Sequence, residues 1–166
     1  WHGYGGDRHE LLGTGWADSL NVRGWIGACH TGGPNRQHYN SRISQNHVRT
    51  MLDWIMDNYP FSRDSVYMAG SSMGGAGGFI WHNNNCGISE YPLAAAAGGS
   101  PILDCDLRQA QYVDSGHINN AMIAAFGGLP WDNDSVAFEY HRYSAVYLAD
   151  TSESMHFNSL HLPCYA

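Results

Sequence analysis

The chain has 166 residues, of which 43% are hydrophobic and 13% aromatic, enough for one domain with a substantial core and too apolar for a disordered segment. Its basic residues are eight arginines and no lysine against 15 acids, a net charge of -7, and the arginines are spread from Arg8 to Arg142. That balance excludes nucleic acid and anionic membrane as expected partners, and no apolar run reaches the roughly 20 residues of a membrane-crossing helix.

The first six residues, Trp1-His2-Gly3-Tyr4-Gly5-Gly6, read as a glycine turn, which lets a backbone approach another surface closely. Residues 7–40 read as irregular, with a short helix around Trp16 to Asn21. Arg23-Gly24-Trp25-Ile26-Gly27-Ala28-Cys29 reads as a strand, followed by a loop at Thr31-Gly32-Gly33-Pro34-Asn35. His30, at that strand's end, is expected to be structural or exposed. From Ser41 to Tyr59, Ile43, Val48, Met51, Leu52, Trp54, Ile55 and Tyr59 recur at helical spacing, with Ser41 as N-cap and Pro60 as stop. The aromatic and methionine stripe of this helix is expected to be core. Strand 23–29, helix 41–59 and strand 65–69 would then make a βαβ unit and a parallel sheet.

The stretch Ser65 to Trp81 organises the rest. An apolar run, Ser65-Val66-Tyr67-Met68-Ala69, meets Gly70-Ser71-Ser72-Met73-Gly74 and then Gly75-Ala76-Gly77-Gly78-Phe79-Ile80-Trp81. It reads strand, sharp turn, helix. A serine at the centre of G-x-S-x-G on such a turn is held in a strained backbone conformation that projects its Oγ above the sheet, so Ser72 is the candidate nucleophile. The competing reading, a phosphate-cradling glycine loop, needs a lysine that the chain lacks.

The helix after the turn should fade near Asn83-Asn84-Asn85, and Tyr91 to Gly99 reads as the next parallel strand. Residues 101–159 read as helices and connections, including Asn119 to Phe126 and Ser135 to Tyr147. Leu160 to Ala166 reads as a strand-like ending.

His-Gly-x-Gly-Gly at His2 to Gly6, well upstream of the Ser72 motif, resembles the α/β-hydrolase superfamily. The resemblance implies an α/β fold with a parallel, doubly wound sheet, a single domain over 1–166, and a cap formed by 101–159. It places Tyr91 to Gly99 as the sixth strand and implies that the backbone N–H groups of Tyr4 and Met73 form an oxyanion hole. In that family the triad acid follows the seventh strand and the histidine the eighth. On this alignment both fall beyond Ala166, which makes the chain an internal piece. The rival is a complete enzyme in which Asp132 or Asp134 works with His141, His156 or His161.

The resemblance implies a serine hydrolase of carboxylic esters, similar to secreted polyester, polyhydroxybutyrate and feruloyl esterases, acting outside the cell or in the periplasm. Alternatives are a serine peptidase of the prolyl-oligopeptidase type and a non-catalytic binding module. Tyr4 and Trp131 suggest an aromatic cleft for a small-molecule or polymeric ester. Ten histidines invite a metal, but no H-E-x-x-H or C-x-x-C spacing occurs, so neither metal nor other cofactor is expected. Cys29 and Cys164 are expected as buried thiols on core strands. Cys86 and Cys105 could pair, which would favour an oxidising compartment. Oligomeric state is not legible.

Overall fold

The computed structural model describes residues 1–32, 36–85 and 91–165. In chain order its elements are α1 (Glu10–Gly13), α2 (Trp16–Arg23), α3 (Arg42–Asn58), β1 (Val66–Ser71), α4 (Gly77–Asn85), β2 (Leu93–Gly99), α5 (Cys105–Asp114), α6 (Asn120–Phe126), α7 (Asp134–Arg142) and β3 (Cys164–Tyr165). The fold is mixed α/β, and among the described residues the sheet has three parallel strands in the order β1-β2-β3.

β1 alternates as a half-buried strand should, with Val66 and Met68 inside and Tyr67 outside. It pairs with β2 from Tyr67 opposite Ala95 to Ser71 opposite Gly99. The alanines of β2 are small because α4 lies very close. A Cβ on Gly78 of α4 would stand 3.0 Å from the Cβ atoms of both Met68 and Ala96. The βαβ unit of this chain is therefore β1-α4-β2. β3 adds a short pairing, Ala96 opposite Cys164 and Ala97 opposite Tyr165.

The expected strand at 23–29 does not form. α2 runs to Arg23, Gly24 ends it in the left-handed region at φ +64°, and residues 25–30 have no ladder partner. Trp25 instead stacks flat on Tyr67, 5.3 Å between ring centroids, so side-chain packing holds the segment beside β1. The expected βαβ unit through helix 41–59 falls with it. Cys29 is half-buried on that irregular segment and Cys164 is exposed, so neither is a core-strand thiol.

α3 forms as expected, but its buried face is Ser44, Gln45, Val48, Leu52 and Ile55, with Met51 packed against the core. Ile43 and Trp54 are each 56% exposed. Each lies one residue off the buried stripe, which is about 100° around a helix. Ser41 stands at the N-cap without using its hydroxyl as a cap.

The core gathers Met73, Ile80, Trp81, Met122, Phe126 and Tyr140 around the sheet. α5, α6 and α7 are each started by a side chain that accepts backbone N–H bonds, from Asp104, Asn119 and Asn133 respectively. Residues 143–147, expected as helix, run past the end of α7 as connection, and Val146 N–H donates to Leu103 O. Cys105 is a free, fully buried thiol donating to Tyr143 O, which corrects the pairing with Cys86. Cys86 itself lies outside the described residues.

Candidate active site

Ser72 follows β1 directly and opens a 3₁₀ turn that leads into α4. Its φ is +50°, in the left-handed region that a side chain with a Cβ avoids at a cost of order 1–3 kcal/mol. The surroundings hold it there. The Ser72 carbonyl accepts from Gly75 N at 2.9 Å, which closes the turn, and from Ile102 N at 3.4 Å, which ties it to the chain after β2. The Ser72 side chain is exposed, and its Oγ has no hydrogen-bond partner among the described residues.

The segment at the start of the chain packs against this turn. A Cβ on Gly74 would come within 2.4 Å of His2 O and 2.8 Å of Trp1 C, so only glycine admits the approach. A Cβ on Gly3 would lie 3.5 Å from Ser71 Oγ and 3.9 Å from the Ser72 Cβ. Trp1 N donates to Ala69 O at 2.8 Å, and Gly3 N donates to the Glu10 carboxylate at 3.2 Å, which fixes the position of Tyr4. The Tyr4 N–H has no partner among the described residues. The Met73 N–H has none outside its own turn, as the first amides of a helical turn do not.

Tyr4, Ser72 and Met73, the three site residues expected from the sequence, line one open groove of about 1130 Å³. Its far wall comes from Pro101, Ile102 and Leu103 after β2, from Leu107 and Tyr112 of α5, and from Ile118 before α6. Part of the 101–159 segment thus borders the site. Trp131 does not: it is 53% exposed and stands away from the groove.

Behind the turn sits a loop that sequence reasoning passed over. Tyr39 and Asn40 both have left-handed backbone, φ +40° and +58°, yet are almost completely buried. Asn40 Nδ2 donates to Met73 O at 2.9 Å, which fixes the Met73–Gly74 peptide, one unit beyond the Met73 N–H. Tyr39 reaches the groove and receives a bond from Asn119 Nδ2 at 2.6 Å. The only available signal was an asparagine before a helix, a residue that tolerates left-handed backbone.

A cluster of imidazoles supports the Gly3-Tyr4 backbone from below. His2, His30 and His38 are buried, with ring centroids 4.7 to 5.8 Å apart, and Trp1 meets His30 edge-on at 4.5 Å. Burial pushes His30 down to about 3 and His38 well below the ordinary histidine value. Both are therefore neutral. The His2 nitrogens face Gly3 O and Thr31 O at 2.8 and 2.9 Å. Among the described residues, no group of three metal-ligating side chains is arranged to hold an ion.

His117 also lines the groove. Its Nδ1 lies 2.9 Å from Ser115 O, which makes that nitrogen an N–H donor. It is not hydrogen-bonded to Ser72. Asp104 reaches the same groove but spends its oxygens on Leu107 N and Leu148 N.

The rival acid and histidine set is not brought to Ser72. Asp132 accepts from Leu129 N, Asp134 opens α7, His141 faces Glu153 O and stacks on Tyr147, and His156 packs on Phe157. None of these, nor His161, lines the groove. No protein-family model, curated protein or solved structure gives a significant match to the chain.

Proposed function

We propose that the chain carries the nucleophile and oxyanion side of a serine hydrolase of α/β-hydrolase type, which cleaves carboxylic esters through an acyl-enzyme on Ser72. The observation that carries this reading is the left-handed Ser72 backbone between β1 and α4, on an exposed side chain at the groove floor. Strain of this kind persists only where the surroundings impose it, and it puts an Oγ where a substrate can reach it.

In the proposed reaction Ser72 Oγ attacks the acyl carbonyl while a histidine takes its proton. The Tyr4 and Met73 N–H groups then receive the charge that develops on the carbonyl oxygen. Fixed donors of this type contribute about 10²- to 10³-fold each in rate. The alcohol leaves, and water resolves the acyl-enzyme by the same proton route in reverse. The groove's apolar and aromatic wall suits an acyl chain or an aromatic ester, and among the described residues Arg108 is the one arginine that lines it. A location outside the cell remains part of the proposal on the resemblance alone, since the free Cys105 thiol removes the expected disulfide as its support.

The test uses the full-length protein and a fluorophosphonate probe. Labelling should be lost in Ser72→Ala and kept in Ser71→Ala, and p-nitrophenyl butyrate should be cleaved much faster than a proline-containing peptide amide. Faster amide cleavage would favour a peptidase. An absence of both labelling and turnover would favour a binding module.

A further inference from the structure

The arginines are dispersed in sequence, but the fold brings three of the eight together. α3, α4 and α7 enclose a second groove, of about 430 Å³, that shares no residue with the Ser72 groove. Arg42 and Arg49 are seven residues apart on α3, two turns of helix, and so lie on one face of it. Arg142, in the last turn of α7, faces the same space. Among the described residues one acid lines the groove with them, Glu139, and it is paired with Arg42.

The other two guanidinium groups have no carboxylate partner among the described residues. Arg49 gives one N–H to Asn85 Oδ1 at 2.7 Å and lies 5.4 Å over the ring of the buried Trp81. Arg142 is exposed and lies 6.0 Å from the ring of Tyr143, which also lines the groove. An aromatic face and an amide oxygen orient a guanidinium without neutralising it, and its remaining N–H groups stay available. Among the described residues that line the groove, three such cations stand against one carboxylate, a local surplus of two positive charges in a protein whose net charge is -7. Uncompensated arginines that line one groove repel one another, and an anion bound among them relieves the repulsion through charge-assisted bonds.

We propose that this groove binds a doubly charged oxyanion of the phosphate or sulfate kind, either free or as a monoester on a small molecule, held chiefly by Arg49 and Arg142. It needs no participation of Ser72.

Isothermal titration and thermal melts with sodium phosphate and sodium sulfate, each against sodium chloride at matched ionic strength, test the proposal on the full-length protein. A titration with glucose 6-phosphate distinguishes an ester-borne group from the free ion. The dianions should bind and raise Tm where chloride does not. Arg49→Gln and Arg142→Gln should each weaken binding by roughly ten-fold, the scale of one charge-assisted hydrogen bond. Glu139→Gln, which removes the single acid, should tighten it, and Arg63→Gln, exposed outside the groove, should leave it unchanged. Should Arg49→Gln fail to fold through loss of its contact with Trp81, Arg142→Gln and Glu139→Gln carry the test by themselves. Equal effects of chloride and the dianions would overturn the proposal, and so would dianion binding that neither Arg142→Gln nor Glu139→Gln alters.

Discussion

Ser72 pays for its position in backbone strain, and that cost can be measured apart from any chemistry. At φ +50° glycine is unstrained whereas alanine is as strained as serine. Ser72→Gly should therefore raise Tm by about 2–4 °C, the shift that about 1 kcal/mol produces in a domain of this size, while Ser72→Ala leaves Tm nearly unchanged. A melting curve for each checks it, and equal Tm values would mean that the turn is not strained. His117 poses a different question. A triad histidine donates its Nδ1–H to a buried carboxylate, whereas His117 donates to the backbone carbonyl of Ser115. Its expected role is substrate contact, so His117→Ala should raise KM several-fold and lower kcat less than about ten-fold; a loss of 10²-fold or more in kcat would make it the base. At this scale the close packing of the first residues on the Ser72 turn was legible, because glycines such as Gly74 mark where backbones must touch, whereas Tyr4 and Met73 were named only through the resemblance. Asn40 and Tyr39 were not, since nothing in a lone Tyr-Asn pair announces two consecutive left-handed residues.

Among elements, the three capped helices differ in how much their caps carry. Asp104 is buried and serves two partners, Leu107 N at the start of α5 and Leu148 N across the fold, at 2.9 and 2.8 Å. Asn133 is exposed and caps α7 alone. Asp104→Ala should cost about 2–3 kcal/mol, because the Leu148 N–H loses a charged acceptor along with the cap, and Asn133→Ala about 1 kcal/mol. Urea denaturation of the two variants gives the comparison, and equal losses would show that the Leu148 bond adds nothing. The elements that were read correctly are α2, α3, β1, α4, β2 and α6, most of them segments whose periodicity and stop signals agree. Residues 23–29 have the composition of a strand, but a strand also needs a partner. There the segment meets β1 through the Trp25 ring stacked on Tyr67 and not through a backbone ladder, which no pattern within the segment encodes.

At the scale of the whole molecule, what sequence could not supply was convergence: three dispersed arginines in one groove, and three histidines from residues 2, 30 and 38 in one buried cluster. The second has a consequence for acid stability. Burial is the main reason that His30 and His38 hold low pKa values, and the neighbouring histidines add to it. The unfolded chain binds a proton at each near pH 6.5, whereas folded His30 does so only at about 3 and folded His38 also well below 6.5. Between those limits the unfolded state holds more protons, so stability is complete above about pH 6.5 and declines as the pH falls toward 3. The slope is about 1.4 kcal/mol per pH unit for each histidine. His30 has no hydrogen-bond partner on either nitrogen and packs edge-on to Trp1, so phenylalanine should fit its place. His30→Phe should match the wild type near pH 8, exceed its stability near pH 5, and show a shallower decline between 6.5 and 4. Denaturation curves across that range decide it, and identical slopes would mean that His30 is protonated in the folded protein. Because His2 of the same cluster bonds Gly3 O, directly before Tyr4, the wild-type Gly3-Tyr4 segment should loosen over the same interval. Fluorophosphonate labelling of Ser72 should therefore fall with pH alongside stability, and fall less in His30→Phe.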